Sequence, residues 1–114
     1  MAALTAVNQQ VPTVELTQLP DDAVLIDVRE DDEWTAGHAP GAVHVPLGDI
    51  PARLGELPAD GTLYVICRSG GRSARATAFL NTNGWDAVNV ADGMLGWQAA
   101  GRTVVADSGQ PQVL

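Results

Sequence analysis

Leu63-Tyr64-Val65-Ile66-Cys67-Arg68-Ser69-Gly70-Gly71-Arg72-Ser73-Ala74 passes from an apolar, partly β-branched run through a cysteine and a glycine-containing turn into an Ala-rich stretch that reaches Asn83. A strand, a tight loop and a helix start in that order bring several backbone N–H groups to bear on one sulfur, which makes a cradle for an anion. Gly70 and Gly71 let the chain curl with positive φ, so the N–H groups converge without a Cβ in the way. A thiolate held there has a lowered pKa, because the helix N-terminus and two nearby guanidiniums favour the charged form, and the thiolate is the form that reacts.

The distribution of charge points to the same place. Between Gly61 and Trp85 there is no Asp or Glu, whereas Arg68, Arg72 and Arg75 all fall inside that window; the whole chain carries a net charge of -8. A positive island on an acidic chain focuses small anions at the loop. The plainer reading makes Cys67 a buried core thiol at a strand end, a common fate for free cysteine. A merely structural cysteine has no need of the flanking Gly-Gly and arginines, so the chemical reading is preferred.

A chain of 114 residues, 46% apolar and 18% charged, is one globular domain with no run long enough to cross a membrane. Met1 to Gln10 carries neither positive charge nor a sustained apolar core, so no signal peptide is expected and the expected location is cytoplasmic. One cysteine makes no internal disulfide, which fits a reducing compartment and leaves a free thiol. The acidic balance argues against nucleic acid as a partner. Lysine is absent, which excludes Schiff-base chemistry on a lysine, and Cys67, His38 and His44 match no structural zinc spacing. No metal and no cofactor is expected, and nothing in the sequence addresses the oligomeric state.

In chain order, residues 1–12 read as a loose lead-in, 13–105 as the folded domain and 106–114 as a frayed polar tail. Thr13 to Leu16 is a short first strand, and Ala23 to Val28 a strand buried on both faces, ending in the charged exit Asp27-Val28-Arg29. Glu30 to Ala36 reads as a short helix with Trp34 as its inward anchor and Gly37 as its stop. His38 and His44 flank a turn and the brief strand Val43 to Val45, and are assigned to backbone hydrogen bonding. Asp49 is expected to cap a helix with Pro51 in its first turn. Ser73 to Asn83 is a helix burying Ala76, Phe79 and Leu80, Gly84 its C′ glycine, Ala87 to Val90 a strand, and Met94 to Ala100 a closing helix. Strands alternating with helices give an α/β layered fold with a mostly parallel sheet, and Cys67 sits at a carboxyl strand end, where ligands bind.

These residues resemble a single-domain rhodanese, a sulfurtransferase, from about Thr13 to Thr103. The resemblance rests on Ile26-Asp27-Val28-Arg29-Glu30 running on to Glu33-Trp34 and Gly37-His38-Ala39-Pro40-Gly41-Ala42, on the loop Cys67 to Ser73, and on Asp92-Gly93-Met94 with Gly96-Trp97. It implies a three-layer fold with a central five-stranded parallel sheet. It also implies a mechanism in which Cys67 takes a sulfane sulfur from an anionic donor such as thiosulfate, holds it as a persulfide and passes it to a thiol, a protein sulfur acceptor or cyanide. On this reading the backbone of Arg68, Ser69, Gly70, Gly71, Arg72 and Ser73 cradles the persulfide, Arg68 and Arg72 steer the donor, and Asp27 and Arg29 support the neighbouring turns.

Two other classes compete. A cysteine phosphatase or arsenate reductase places an arginine six residues after the cysteine, where this chain has Ser73, with Arg72 one residue sooner. The shorter ring suits one sulfur better than a tetrahedral oxyanion. A non-turnover sulfur carrier or regulatory binding module is the third reading, and the presence of Cys67 counts against a purely regulatory one.

Overall fold

Five short strands take up the apolar and β-branched runs: β1 (Thr13–Val14), β2 (Val24–Asp27), β3 (Val43–His44), β4 (Thr62–Ile66) and β5 (Asp86–Val90). They belong to a computed structural model that describes residues 11–114. Every neighbouring pair is parallel, in the order β1-β5-β4-β2-β3, so β4 is the middle strand. Asp27 lies in register with Ile66, so the charged exit of β2 and the cysteine after β4 leave the same edge of the sheet side by side.

Side chains alternate across a strand, and here the alternation feeds two cores. Ile26, Leu63, Val65 and Ala87 point to one face, where they pack with Ala76 and Leu80 of helix α2 (Gly71–Thr82) and with Ile50 and Leu57 from two 3-10 turns. Leu25, Ile66 and Val90 point to the other, against Met94 and Trp97 of helix α3 (Gly93–Ala99). Helix α1 (Asp31–Ala36) joins β2 to β3. The result is the α/β fold expected from the sequence, a five-stranded parallel sheet between helices. Among the described residues no helix is long and apolar enough to cross a membrane.

Several local expectations shift. Helix α2 starts at Gly71, two residues before Ser73, because Gly70 takes the N-cap at φ +109 and accepts the first helical bond from the Ala74 N–H at 3.1 Å. Its buried face is Ser73, Ala76, Thr77 and Leu80, a 3.6-residue stripe that leaves Phe79 outside it and 36% exposed. Asp49 caps nothing: it ends the 3-10 turn Leu47–Asp49, and Ile50 is the N-cap of the next turn, Pro51–Glu56. In α1 the cap is Glu30, whose N–H donates to Glu33 Oε1 at 3.0 Å in a reciprocal box. Trp34 is not an apolar anchor. Its ring stacks on His38, with centroids 3.6 Å apart, and on His44, at 4.7 Å, both rings nearly parallel to it.

The lead-in falls mostly on residues 1–10, outside those described. Its Pro12 carbonyl accepts from the Asn89 N–H at 2.7 Å, extending the β1–β5 pairing. The polar tail, read from sequence as frayed, lies against the fold. The Gln112 N–H donates to Ala36 O at 2.9 Å and Val113 packs on the second core. Gly37 makes room for it, since a Cβ there would overlap the Gln112 backbone.

Gly93 sits at a comparably tight crossing. It begins α3 at φ +54, and a Cβ on it would overlap the carbonyl oxygens of both Cys67 and Arg68. Gly41 has a similar φ of +77 but open space around it. Gly41→Ala is therefore expected to cost about 1 kcal/mol of stability, from backbone strain alone. Gly93→Ala should cost at least about twice that, because the loop after β4 must also move. Urea unfolding of the two variants checks this, and equal losses would show that the crossing can relax.

Candidate active site

The loop after β4 is held from outside by α3. Cys67 O accepts from the Met94 N–H at 2.8 Å and Arg68 O from the Leu95 N–H at 3.0 Å. These are first-turn N–H groups of α3, which have no partner within their own helix. With two successive carbonyls turned toward α3, the chain curls back through Gly70 and its amides face the sulfur. The Gly70 N–H donates to Cys67 Sγ at 3.1 Å, and the Ser73 hydroxyl oxygen lies 3.2 Å from it. The N–H groups of Ser69 and Ser73 also favour the anionic sulfur. Ser73 is the third residue of α2, so its N–H is one of the unpaired donors at a twelve-residue helix's positive end.

Burial works against this thiolate and pushes the Cys67 thiol up; the hydrogen bonds from the Ser73 hydroxyl and from the Ser73, Gly70 and Ser69 amides outweigh it, and the net direction is downward. Cys67 is 1% exposed, so the sulfur lies beneath the loop rather than at its rim.

The three arginines of the positive island part company. Arg72 forms a two-pronged pair with Glu33 of α1, Nη1 to Oε1 at 2.7 Å and Nη2 to Oε2 at 2.9 Å. The sequence window holds no acid, but the fold brings one in from 39 residues away. The pair lowers the Glu33 carboxyl to about 2 and raises the Arg72 guanidinium, with Cys67 among the charges that do so. Arg72 thus reaches the sulfur as a charge whose fork is already occupied by Glu33. Arg68 is exposed and donates from Nε to Leu114 O at 2.7 Å. Arg75 lines a cleft of about 390 Å³ with Leu47, Ile50 and Phe79.

Asp27 and Arg29 are both fully buried. Arg29 Nε donates to the Asp27 carboxylate at 3.0 and 3.1 Å and Nη2 at 2.8 Å, while Nη2 also donates to Gly37 O at 2.7 Å. Among the described residues no hydrogen bond from this pair reaches the loop 67–73; it fixes the exit of β2 to the turn after α1. The His38 Nδ1–H donates to Trp34 O at 2.8 Å and the His44 Nε2–H to Arg29 O at 2.7 Å, the backbone role expected for both. Among the described residues no three metal-ligating side chains come together.

Two partners of the site are not among the site residues singled out from sequence. Glu33 gives no signal there of its pairing with Arg72. Asn89 does give one: a polar residue inside the apolar strand Ala87-Val88-Asn89-Val90, nearly buried, with Oδ1 accepting from the Ser73 hydroxyl at 2.5 Å.

Comparison with known proteins places these features in a lineage. Residues 13–100 match the profile of the rhodanese-like domain. YtwF, a putative sulfurtransferase of Bacillus subtilis, is 42% identical over 84 residues, which is 74% of this chain and 82% of that protein. A sulfurtransferase of Allochromatium vinosum is 37% identical over 90 residues, 78% of this chain and 84% of its own. Among solved structures, a rhodanese-related protein of Thermoplasma volcanium superposes with a TM-score of 0.79 at 28% identity, over 84% of this chain and 99% of that one. With a match that runs from the first strand through the last helix, the chain belongs to the rhodanese-like sulfurtransferase family.

Proposed function

We propose that Cys67 is the sulfur-carrying nucleophile of a thiosulfate-type sulfurtransferase. The thiolate attacks the outer sulfur of the donor, the donor's S–S bond breaks, and sulfite leaves with the electron pair. Cys67 then holds a persulfide whose terminal sulfur is attacked by an acceptor thiolate or cyanide, returning the Cys67 thiolate. The acceptor is a low-molecular-mass thiol or a protein sulfur acceptor, and the persulfide lies in the cradle of Arg68, Ser69, Gly70, Gly71, Arg72 and Ser73. The observation that carries this reading is the convergence of the Ser69, Gly70 and Ser73 amides on one sulfur at the start of α2. Donors fixed before the reaction stabilise an anion without reorganising, in the manner of an oxyanion hole.

The burial of Cys67 favours a second reading, a sulfur carrier that serves one partner protein with little turnover on small molecules. A donor must thread past the loop or displace what covers it, and a dedicated partner can do so where thiosulfate is slow.

Intact-mass measurement after incubation with thiosulfate is expected to show a gain of one sulfur that is absent from Cys67→Ala. No gain with thiosulfate or any other sulfane donor would end the persulfide reading. Loading without cyanide-dependent turnover would select the carrier over the enzyme.

Alkylation of the folded protein tests the thiolate separately. Its midpoint is expected below the ordinary thiol value of about 8.5. A thiol is charged above its pKa, so loss of a stabilising group moves the midpoint up: Ser73→Ala should raise it most, and Arg72→Ala should raise it less. A midpoint at the ordinary value in all three proteins would show that the loop activates nothing.

A further inference from the structure

Cys67, Ser73, Asn89 and Gly70 close a ring of hydrogen bonds. The Gly70 N–H donates to Cys67 Sγ at 3.1 Å, Sγ faces Ser73 Oγ at 3.2 Å, the Ser73 hydroxyl donates to Asn89 Oδ1 at 2.5 Å, and Asn89 Nδ2 reaches Gly70 O at 3.4 Å. Cys67 and Ser73 are essentially sealed, and Asn89 nearly so. Among the described residues no charged side chain hydrogen-bonds Ser73 or Asn89.

A hydroxyl has one proton to give. While Ser73 gives it to Asn89, its oxygen can only accept from sulfur, so the arrangement belongs to the protonated thiol. An anionic sulfur accepts only, and Ser73 must then turn its proton toward Cys67. That leaves two acceptors, Ser73 Oγ and Asn89 Oδ1, facing each other at hydrogen-bond distance, unless the amide rotates and presents Nδ2–H instead. The rotation gives up the contact to Gly70 O at 3.4 Å, longer than a good N–H···O bond, and turns Oδ1 toward that carbonyl at a separation beyond close contact. A carboxamide offers a donor and an acceptor in the same shape; an aspartate at this position offers acceptors alone.

From this ring we infer that Asn89 is a positioning residue for the sulfur chemistry, turning its amide with the charge on Cys67 so that the Ser73 hydroxyl points at the sulfur when it is anionic. The inference rests on the reading of Cys67 as a working anion and adds a residue from β5 to the loop. It also explains why a polar side chain interrupts the apolar face of that strand. The charged groups on the elements around the ring are Arg72 on α2, backed by Glu33 from α1, Arg68 on the loop with its Nε turned to Leu114 O, Asp92 before α3 and the Asp27–Arg29 pair at the exit of β2. None of these groups is substituted in the variants below.

The test is the pH profile of Cys67 alkylation in Asn89→Asp, in Ser73→Ala and in the double variant. Asn89→Asp should slow alkylation at neutral pH by about tenfold, the low end of what losing a hydroxyl hydrogen bond to a charged sulfur costs, with the rate at the high-pH plateau unchanged. In the Ser73→Ala background the same substitution should slow it by much less, because the hydroxyl that relays the effect is gone. An equal effect in both backgrounds would reduce Asn89 to through-space charge and overturn the inference, as would no effect in either. Should Asn89→Asp fail to fold, the side-chain amide resonances of Asn89 in the wild-type protein carry the test. They should shift with the alkylation midpoint, and this response should be lost in Ser73→Ala. Resonances that stay fixed through the Cys67 titration would overturn it. Because alkylation needs no sulfur donor, a protein that fails to take up sulfur from thiosulfate leaves this result standing.

Discussion

Two carbonyl groups, those of Cys67 and Arg68, decide the geometry of the site. At the end of the central strand they have no ladder partner, and buried carbonyls must find a donor somewhere. The first turn of α3 supplies it through the Met94 and Leu95 N–H groups, at a separation only a glycine at position 93 allows. With the oxygens of the loop committed outward, its amides are free to face inward. Thus one set of helix-end donors is spent on the loop's carbonyls so that another, at the start of α2, can be spent on sulfur. The cradle is a consequence of where α3 begins, and the Asp92-Gly93 turn belongs to the site by packing against the cysteine's carbonyl.

Charge plays a smaller part than the sequence suggests. On an acidic chain, three arginines in one stretch look like an attracting field, yet Arg72 is locked to Glu33 and Arg68 is turned to the tail. Hydrogen bonds to a charged group are worth about 1.5–3 kcal/mol each, whereas a guanidinium already paired with a carboxylate acts at a distance as little more than a dipole. The downward direction of the Cys67 thiol therefore comes chiefly from the Ser73 hydroxyl and the neighbouring amides, which is also the order in which they oppose its burial. The Arg72–Glu33 pair has a mechanical role in addition, since it fastens α1 to the opening turn of α2.

What the sequence made legible was what is local. The strand-cysteine-glycine-helix run fixed β4, the loop and α2 within two residues, and the period of the apolar runs gave a parallel sheet with cores on both faces. The misplacements are those that local pattern cannot settle. Phe79 and Thr77 compete for one helical stripe, and the sheet beneath admits the smaller. Asp49 has the chemistry of a cap, but the chain closes a 3-10 turn on Pro46 first. Glu33 and Arg72 meet across 39 residues, and the tail docks through backbone groups that carry no sequence signature. Asn89 alone could have been singled out, as a polar residue where alternation calls for an apolar one.

That residue belongs to a wider set. Among the described residues the buried polar side chains are Asp27, Arg29, His38, Ser73, Thr77 and Asn89; Asp27, Arg29 and Asn89 lie at or next to the carboxyl ends of β2 and β5, and Ser73 is bonded to Asn89. Thr77 itself donates to Ser73 O at 2.8 Å, one helical turn behind the site. Apolar side chains of similar volume would pack there at no loss of stability, since a buried ion pair such as Asp27–Arg29 roughly breaks even against a hydrophobic replacement. Among the described residues no side chain or backbone group accepts from Arg29 Nη1. What these groups provide is direction: each accepts or donates along one line, and together they hold the exits of β2, β4 and β5 in a single relative arrangement. A sheet edge so constrained can present three amides and a hydroxyl to one sulfur within a few tenths of an ångström, whereas an apolar edge of equal stability would leave their aim to chance.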